Sequence, residues 1–201
     1  MNLLVCTATE LEQELLRERV RTICTGVGPV NAAHALTVAV ERQRPDAIVV
    51  CGIGGAYPGS ALSVGEVVCA AKECYGDLGT EAPDGFLDMQ TLGFPLVAAS
   101  ALLYNTLPLQ LFPAARRVTF VTVSTCSGTE ELARRMEART EGAVENMEGA
   151  AIAHVAAIYG VPVGEIRGIS NMVGDRRRDL WRVREAAAAA QEALLAWIAT
   201  S

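Results

Sequence analysis

Hydrophobic residues along this chain fall into short runs that alternate with longer amphipathic or alanine-rich segments. Apolar runs of about four to eight residues between turn signals are typical of buried strands, whereas longer periodic segments are typical of helices. The pattern predicts strands at residues 3–7, 20–25, 46–51, 65–71, 118–125 and 161–170, with a short strand after Gly142. It predicts helices at 30–41, 130–139, 149–159 and 185–199, a short one at 98–105, and one that Thr9 caps at the acidic turn 9–14.

The order of these segments indicates the fold class. The run at 46–51 (DAIVVC) is apolar after its first residue, which is typical of a strand covered on both faces. Strands that alternate with helices along the chain predict an α/β fold with a largely parallel or mixed sheet. No repeat or linker interrupts residues 1–201, so we expect a single domain. Residues 76–96 are rich in glycine and proline and predict an irregular covering loop.

Composition and charge narrow the function classes. The 201 residues carry a formal net charge of −6 without a basic stripe, which argues against nucleic acid as a partner. No apolar run reaches the roughly 18 residues that a membrane span needs, and no secretory leader is visible. The six cysteines lie mostly in apolar runs without paired spacing, which predicts reduced core residues in a cytoplasmic protein. Two isolated histidines predict no metal site.

Polar and glycine-rich segments follow several of the predicted strands. They are the turns at 26–29 (GVGP), 52–55 (GIGG) and 124–129 (STCSGT), the pair Met147 and Glu148, and the pair Ser170 and Asn171. Strand ends in one sheet can converge on a single crevice, which predicts a ligand site there. Each feature also has a structural alternative: a tight turn at 52–55, a helix cap at 124–129 and, for Glu148, a favourable charge at a helix N-terminus.

The turn at 26–29 partly matches a dinucleotide fingerprint, because it follows a strand and opens a helix. Two departures argue against a nicotinamide cofactor: Asn31 replaces the third glycine, and the nearest acid, Asp46, begins a strand instead of ending one. We therefore expect no cofactor. The same loop contains no lysine or arginine, and Pro29 removes a backbone donor, so the loop is poorly equipped to bind phosphate. For a bond-cleaving reaction at this site, water is therefore favoured over phosphate as the nucleophile.

Taken together and in this order, the motifs resemble the nucleoside phosphorylase and nucleosidase superfamily. The similarity is to its methylthioadenosine/adenosylhomocysteine nucleosidases and, within the superfamily, most of all to its futalosine hydrolases. It is carried by segments 8–12 (ATELE), 26–28 (GVG), 52–55 (GIGG), 64–66 (VGE), 145–151 (ENMEGAA) and 167–171 (RGISN), with 77–86 and 173–176 similar to futalosine hydrolases specifically. The resemblance implies a single-domain three-layer α/β sandwich around a central mixed, largely parallel sheet.

The resemblance also implies roles for individual residues. Glu12 corresponds to the acid that positions and deprotonates the attacking water, and Glu148 to the carboxylate that binds the ribose 2′-hydroxyl. The other expected contacts are Met147 and Val27 at the sugar, Gly54 and Gly55 beneath ribose and base, Gly128 and Thr129 at the purine edge, and Ser170 beside Asn171. It further implies a small-molecule purine nucleoside as substrate and a homo-oligomer, dimer or larger.

Asn171 stands where the adenosine-type nucleosidases carry an aspartate. Its amide offers two N–H donors, which suit the carbonyl and the imidazole nitrogen of a 6-oxopurine. This favours hypoxanthine as the leaving group, which is the base of futalosine in menaquinone biosynthesis. Three alternatives stay open: a methylthioadenosine-type nucleosidase, a nucleoside-binding protein without activity, and a plain turn role for Asn171. The arginine run at 176–178 is either a solvated surface or a site for the substrate's carboxylate.

Overall fold

The fold consists of strands gathered into one central sheet and helices that cover it. The computed structural model describes residues 1–98, 102–112, 116–174 and 177–200. Its strands are β1 (Leu3–Thr7), β2 (Arg21–Cys24), β3 (Ala47–Ala56), β4 (Val67–Tyr75), β5 (Gly79–Ala82), β6 (Gly85–Asp88), β7 (Val97–Ala98), β8 (Leu102–Leu103), β9 (Thr106–Pro108), β10 (Arg117–Thr122), β11 (Val144–Asn146) and β12 (Val163–Met172). Its α-helices are α1 (Pro29–Arg42), α2 (Met89–Leu92), α3 (Glu130–Thr140), α4 (Gly149–Tyr159) and α5 (Val183–Ile198), with 3₁₀ helices at Leu11–Gln13 and Arg178–Leu180.

The central sheet closes on itself. Its strands follow the order β11-β10-β4-β12-β3-β1-β2, and β11 also pairs with β3 in antiparallel orientation. The strands β3, β12, β4, β10 and β11 therefore form a closed ring, and β1 and β2 continue from β3 as parallel neighbours. Since β12 runs parallel to β3 but antiparallel to β4, the predicted mixed sheet is confirmed. The closure of the ring is a feature that the sequence pattern did not predict.

Helices cover both faces of the sheet, because successive residues of its strands point to opposite sides. On β3, Ile48 packs in the cluster beneath α1 and α4, whereas its neighbour Val49 packs beneath α5. Ile152 of α4 and Leu194 of α5 are fully buried in these two clusters. A third cluster lies between α3 and β10 and includes Val121. This arrangement confirms the layered α/β architecture.

The glycine-rich stretch at 52–55 is not a turn, so that prediction was wrong. The strand expected at 46–51 continues through these glycines to Ala56. A Cβ atom at Gly54 would lie 2.5 Å from Val144 Cγ1, and one at Gly55 would lie 2.7 Å from Val173 Cγ2. Glycine is required because neighbouring segments approach β3 closely, a cause that a sequence alone does not separate from a turn.

The region between β4 and β10 also differs from expectation. The helix expected at 98–105 is wrong, because Val97–Ala98 pairs with Leu102–Leu103 as two short strands, while 99–101 lie outside the described residues. The irregular loop expected at 76–96 contains the β5–β6 hairpin and α2. Short apolar runs of this kind carry too little periodicity to distinguish helix from strand.

Near the N-terminus, the prediction that Thr9 caps a helix is also wrong, because Glu10 is the N-cap of the 3₁₀ helix that follows.

The cysteines are only partly core residues. Cys6, Cys51, Cys69 and Cys74 are buried as predicted, whereas Cys24 and Cys126 are exposed.

Within the described ranges, no group of three or more His, Cys, Asp or Glu side chains is placed to hold a metal ion. None of the helices described is long and apolar enough to cross a membrane.

We expect Gly168→Ala to destabilise the fold more than Gly164→Ala on the same strand. A methyl group at Gly168 would lie 2.1 Å from the backbone oxygen of Ala186, so β12 and α5 must separate. Overpacking of this kind lowers the free energy of unfolding by about 1–3 kcal/mol, which urea denaturation measures. A methyl group at Gly164 meets Leu111 Cβ and Phe112 Cε2 at 2.8 Å, so a smaller displacement relieves that contact than the 2.1 Å contact at Gly168. An equal or larger loss for Gly164→Ala contradicts this packing account.

Candidate active site

A cavity of about 550 Å³ opens at the carboxyl ends of β1, β3 and β12. Most of the predicted site residues line it together: Glu12, Val27, Gly54, Gly55, Met147, Glu148, Ser170 and Asn171. Its wall also includes residues that were not predicted, among them Cys126, Ser127, Glu145, Arg167 and Trp181. The convergence of strand ends is therefore present in the structure, and the closed ring of strands brings it about.

Glu12 is held in the wall of the cavity by three donors. It lies on the 3₁₀ helix after β1, where its side chain is almost completely buried. Its Oε2 accepts hydrogen bonds from the backbone N–H and the hydroxyl of Thr9, both at 2.8 Å, and its Oε1 accepts from the Ile53 N–H at 2.9 Å. Gly52 leaves room for this carboxylate, since a Cβ there would lie 2.5 Å from Glu12 Oε1. The carboxylate is thus fixed without a cation in direct contact among the described residues.

Glu148 is the N-cap residue of α4, but its side chain makes no capping hydrogen bond to that helix. The backbone N–H groups of Glu148 and Gly149 donate to Asn146 Oδ1 at 2.9 and 2.8 Å, so Asn146 satisfies the start of α4. The Glu148 carboxylate turns instead toward the cavity, where its Oε1 accepts from the Gly28 N–H at 3.0 Å. Its Oε2 accepts from Arg167 Nη2 at 3.4 Å. The side chain is thus held by groups of the cavity wall and not by the first turn of α4, and its role at the sugar stays a prediction.

Arg167 is the buried cation of the site, and sequence reasoning assigned it no role. Its guanidinium donates from Nε to Glu165 Oε1 at 2.6 Å, and from Nη1 to the Ile53 carbonyl oxygen at 2.6 Å. Its Nη2 donates to Asn146 Oδ1 at 3.2 Å as well as to Glu148. Burial by itself lowers the pKa of Arg167, but the nearby Glu165 and Glu148 carboxylates raise it above its ordinary value, so the group stays charged. A glutamate and an arginine two residues apart inside a fully buried stretch of strand were the available signal.

The loop after β10 reaches the cavity through Cys126 and Ser127 instead of the two residues expected there. Gly128 and Thr129 are not among the lining residues, and the Thr129 hydroxyl caps α3 by accepting from the Leu132 N–H at 3.2 Å. Their role at the purine edge stays a prediction. Glu145 holds this loop, because its carboxylate accepts from the Ser127 N–H at 3.0 Å and the Ser127 hydroxyl at 2.7 Å.

The amide of Asn171 is oriented by its neighbours. The Ser170 hydroxyl donates to Asn171 Oδ1 at 2.8 Å, and the Met172 carbonyl, which can only accept, identifies the amide atom beside it as the nitrogen. Asn171 Nδ2 donates one hydrogen to the Met172 carbonyl oxygen at 2.9 Å. The second N–H of the amide is the one that can donate a hydrogen bond to a ligand in the cavity.

A carboxylate site at the arginine run 176–178 stays a prediction: Arg177 lines a second cavity of about 430 Å³, which shares wall residues with the first one. Arg176 lies outside the described residues. Arg177 pairs with Asp179 at 3.2 Å, and both side chains are more than half exposed. This is a solvated surface pair, as charge runs usually form.

The sequence of this chain is similar to those of known proteins. A family model described as the phosphorylase superfamily matches residues 9–199. The chain is 41% identical over 187 residues to a futalosine hydrolase of Streptomyces coelicolor, covering 86% of this chain and 75% of that relative. It is 35% identical over 179 residues to the futalosine hydrolase of Thermus thermophilus, covering 85% of this chain and 77% of that relative.

Solved structures show the same fold. A methylthioadenosine/adenosylhomocysteine nucleosidase from Colwellia psychrerythraea, in complex with adenine, superposes with a TM-score of 0.79 at 22% identity, covering 97% of this chain and 93% of that one. The nucleosidase from S. pneumoniae with a transition-state inhibitor gives 0.80 at 19% identity, covering 98% of this chain and 97% of that one. At these identities the similarity concerns the fold alone.

Proposed function

Because the chain belongs to the phosphorylase superfamily and is a hydrolase acting on N-glycosyl bonds, we propose that it cleaves futalosine and releases hypoxanthine. The observation that carries the proposal is the placement of Glu12 and Glu148, two buried carboxylates of separate elements, in the wall of one cavity. Further support comes from the names of the curated relatives, which are futalosine hydrolases. The proposal places the enzyme in the cytoplasm and in menaquinone biosynthesis, as a dimer or larger oligomer.

The chemistry of the bond explains why two carboxylates are useful. Cleavage of an N-glycosidic bond develops positive charge on the sugar and negative charge on the departing base. Glu148, with its charge facing the cavity, accepts from the ribose 2′-hydroxyl and stabilises the cationic sugar. Glu12 binds the attacking water and takes its proton as the carbon–oxygen bond forms. Met147 and Val27 pack against the sugar, and Gly54 and Gly55 lie under ribose and base.

The site favours water over phosphate. Within the described lining, the cation is Arg167, and four of its five guanidinium N–H groups are already bonded to protein acceptors. The Gly28 N–H donates to Glu148, and Pro29 carries no N–H. A phosphate dianion needs several amide or guanidinium donors, and most of those here are already engaged. Hydrolysis is therefore the reaction that this cavity supports best.

The Asn171 amide supports a 6-oxopurine as the leaving base. With its oxygen engaged by Ser170 and one N–H by the Met172 carbonyl, the amide keeps one N–H for the ligand instead of the two expected from the sequence. This N–H can pair with the carbonyl of hypoxanthine, whereas adenine carries an amine there, a donor that meets another donor. An unpaired buried polar group costs about 1–3 kcal/mol, so the cavity discriminates against adenine nucleosides.

The direct test of the proposal is to incubate the protein with futalosine, inosine and methylthioadenosine and to measure free base by chromatography. The proposal expects hypoxanthine from futalosine as the fastest release. Adenine release from methylthioadenosine at the higher rate assigns the protein to the methylthioadenosine nucleosidases. A rise in melting temperature without any free base identifies a binding protein that lacks catalysis.

We predict that Glu12→Gln abolishes most turnover and leaves substrate binding largely intact. The amide keeps the shape of the side chain but cannot take a proton from water. A general base typically contributes about 10²–10⁴-fold to the rate. Steady-state kinetics and a thermal-shift titration measure the two effects separately. A variant that keeps more than about a tenth of the wild-type kcat is incompatible with this role.

Glu148→Gln is expected to lower kcat/KM strongly for ribosides and much less for 2′-deoxyribosides. The reason is that the 2′-hydroxyl, the partner of the carboxylate, is missing from the second class. Inosine and 2′-deoxyinosine, assayed side by side with both proteins, form the matched pair. Equal losses on both sugars would assign Glu148 to structure instead of ribose recognition.

Asn171→Asp is expected to narrow or reverse the preference for a 6-oxopurine. A protonated aspartate can donate to the imidazole nitrogen while its other oxygen accepts from an exocyclic amine. The measurement is kcat/KM for futalosine and for its 6-amino analogue with the wild type and the variant. We expect the ratio to change by about ten- to a hundred-fold, the equivalent of one unpaired buried group. An unchanged ratio shows that Asn171 does not recognise the base.

A further inference from the structure

Two carboxyl groups lie behind the wall of the cavity and are completely buried. Glu73 on β4 and Glu165 on β12 each have 0% of their surface exposed, and neither lines the cavity. Both press against the first residue of α4: a Cβ at Gly149 would lie 2.1 Å from Glu73 Oε1 and 2.4 Å from Glu165 Oε2. Burying two carboxylates side by side is costly unless one of them carries a proton.

Their partners show which carboxyl is ionised. Glu165 Oε1 accepts from Arg167 Nε at 2.6 Å, the shortest contact of that guanidinium to a carboxylate among the described residues. Glu165 Oε2 is buried, and no N–H or hydroxyl group of the described residues donates a hydrogen bond to it. Among the described residues no cation contacts Glu73; its Oε1 accepts from Asn146 Nδ2 at 2.5 Å and its Oε2 from the Thr122 hydroxyl at 3.0 Å. A proton on Glu73 supplies the missing donor, because Glu73 Oε1 and Glu165 Oε2 lie side by side against Gly149.

The surrounding charges agree with this assignment. Burial, and next the charge of Glu165, raise the pKa of Glu73 well above its ordinary value, against a smaller lowering by Arg167. Burial also raises the pKa of Glu165, but Arg167 opposes this rise both by its charge and by its hydrogen bond. The other titratable groups that face Glu73 are Tyr57, Cys74 and Tyr75, and burial raises the pKa of each, so they are neutral. The pair therefore carries one negative charge, and Arg167 carries the matching positive charge.

We propose that Glu165 is a positioning residue for the reaction: it neutralises Arg167, so that the Glu148 carboxylate keeps its negative charge for the sugar, while Glu73 holds the shared proton. The inference rests on the proposed function, because it assigns Glu148 to the cationic sugar. The geometry ranks the two ion pairs of Arg167, since Glu165 lies 2.6 Å from the guanidinium and Glu148 lies 3.4 Å from it. Without Glu165, Arg167 has Glu148 as its nearest remaining counter-ion.

This arrangement predicts an effect on kcat instead of KM. The ribose of the bound substrate is neutral, whereas the sugar of the transition state is cationic. A Glu148 carboxylate that is neutralised by Arg167 still accepts a hydrogen bond from the substrate but stabilises the cation less. If Glu165 served folding alone, its substitution would lower the amount of active protein but would not lower kcat of the folded protein at an unchanged KM.

The experiment compares the same substitution at the two touching carboxyls. Glu165→Gln removes the counter-ion, and we expect kcat for futalosine to fall at least about tenfold, with KM changed less than about threefold. Glu73→Gln resembles the protonated acid, and we expect a kcat loss smaller than about threefold. Equal losses in the two variants, or a loss that lies wholly in KM, would overturn the proposal. If Glu165→Gln does not fold, Glu165→Asp withdraws the charge by one methylene; an unchanged kcat there overturns the proposal, and a reduced kcat at unchanged KM supports it.

A second measurement tests the proton without any substrate. The ordinary pKa of the Glu73 carboxyl is 4.5 and its folded pKa is higher, so the folded protein binds a proton that the unfolded chain releases. The wild type therefore loses stability as the pH rises above that ordinary value, whereas Glu73→Gln lacks this loss. The melting temperature of the variant minus that of the wild type should rise steadily between about pH 5 and pH 8. A difference that is independent of pH overturns the assignment of the proton to Glu73, whether or not futalosine is cleaved.

Discussion

The structure depends on one constraint: a guanidinium buried inside a ring of strands must have all its hydrogen bonds satisfied. Arg167 comes from β12, and its acceptors come from β3, from the end of β11 and from the start of α4. These segments are far apart in the sequence and meet only because β11 pairs with β3 and closes the sheet. Removing an acceptor leaves a buried charge unpaired, which is among the most destabilising changes in a protein. The cavity and the closed sheet are therefore consequences of the same set of contacts.

Glycines provide the space that these charges need. Gly52 leaves room for the Glu12 carboxylate, and Gly149 leaves room for Glu73 and Glu165. Gly52 lies in β3 and Gly149 begins α4, and neither has a positive φ angle. Their role is to bring carboxylates close to the backbone of β3 and α4, where amide groups and Arg167 hold them. The requirement for glycine is thus chemical as much as structural.

Local pattern predicted the parts of the fold in which each segment carries its own signal. Helix α4 has the predicted bounds, Gly149–Tyr159, because an alanine-rich run and Gly160 mark it clearly. The continuation of β3 through 52–55, the β7–β8 pair and the closure through β11 depend on contacts with distant segments, and no local pattern contains them. In the candidate site, Glu148 and Asn171 were found at predicted strand ends, and a resemblance of motifs added Glu12 and the roles of all three. Arg167 and Glu165 needed the register of β12 against β3.

The central claim is that this cavity uses its two carboxylates to direct water at the anomeric carbon of a nucleoside. The most direct measurement is the reaction of futalosine in ¹⁸O-labelled water with inorganic phosphate also present, followed by mass spectrometry of both products. The account predicts a free sugar product with one ¹⁸O atom at its anomeric carbon and unlabelled hypoxanthine. A sugar phosphate, or a label in the base with an unlabelled sugar, would contradict it.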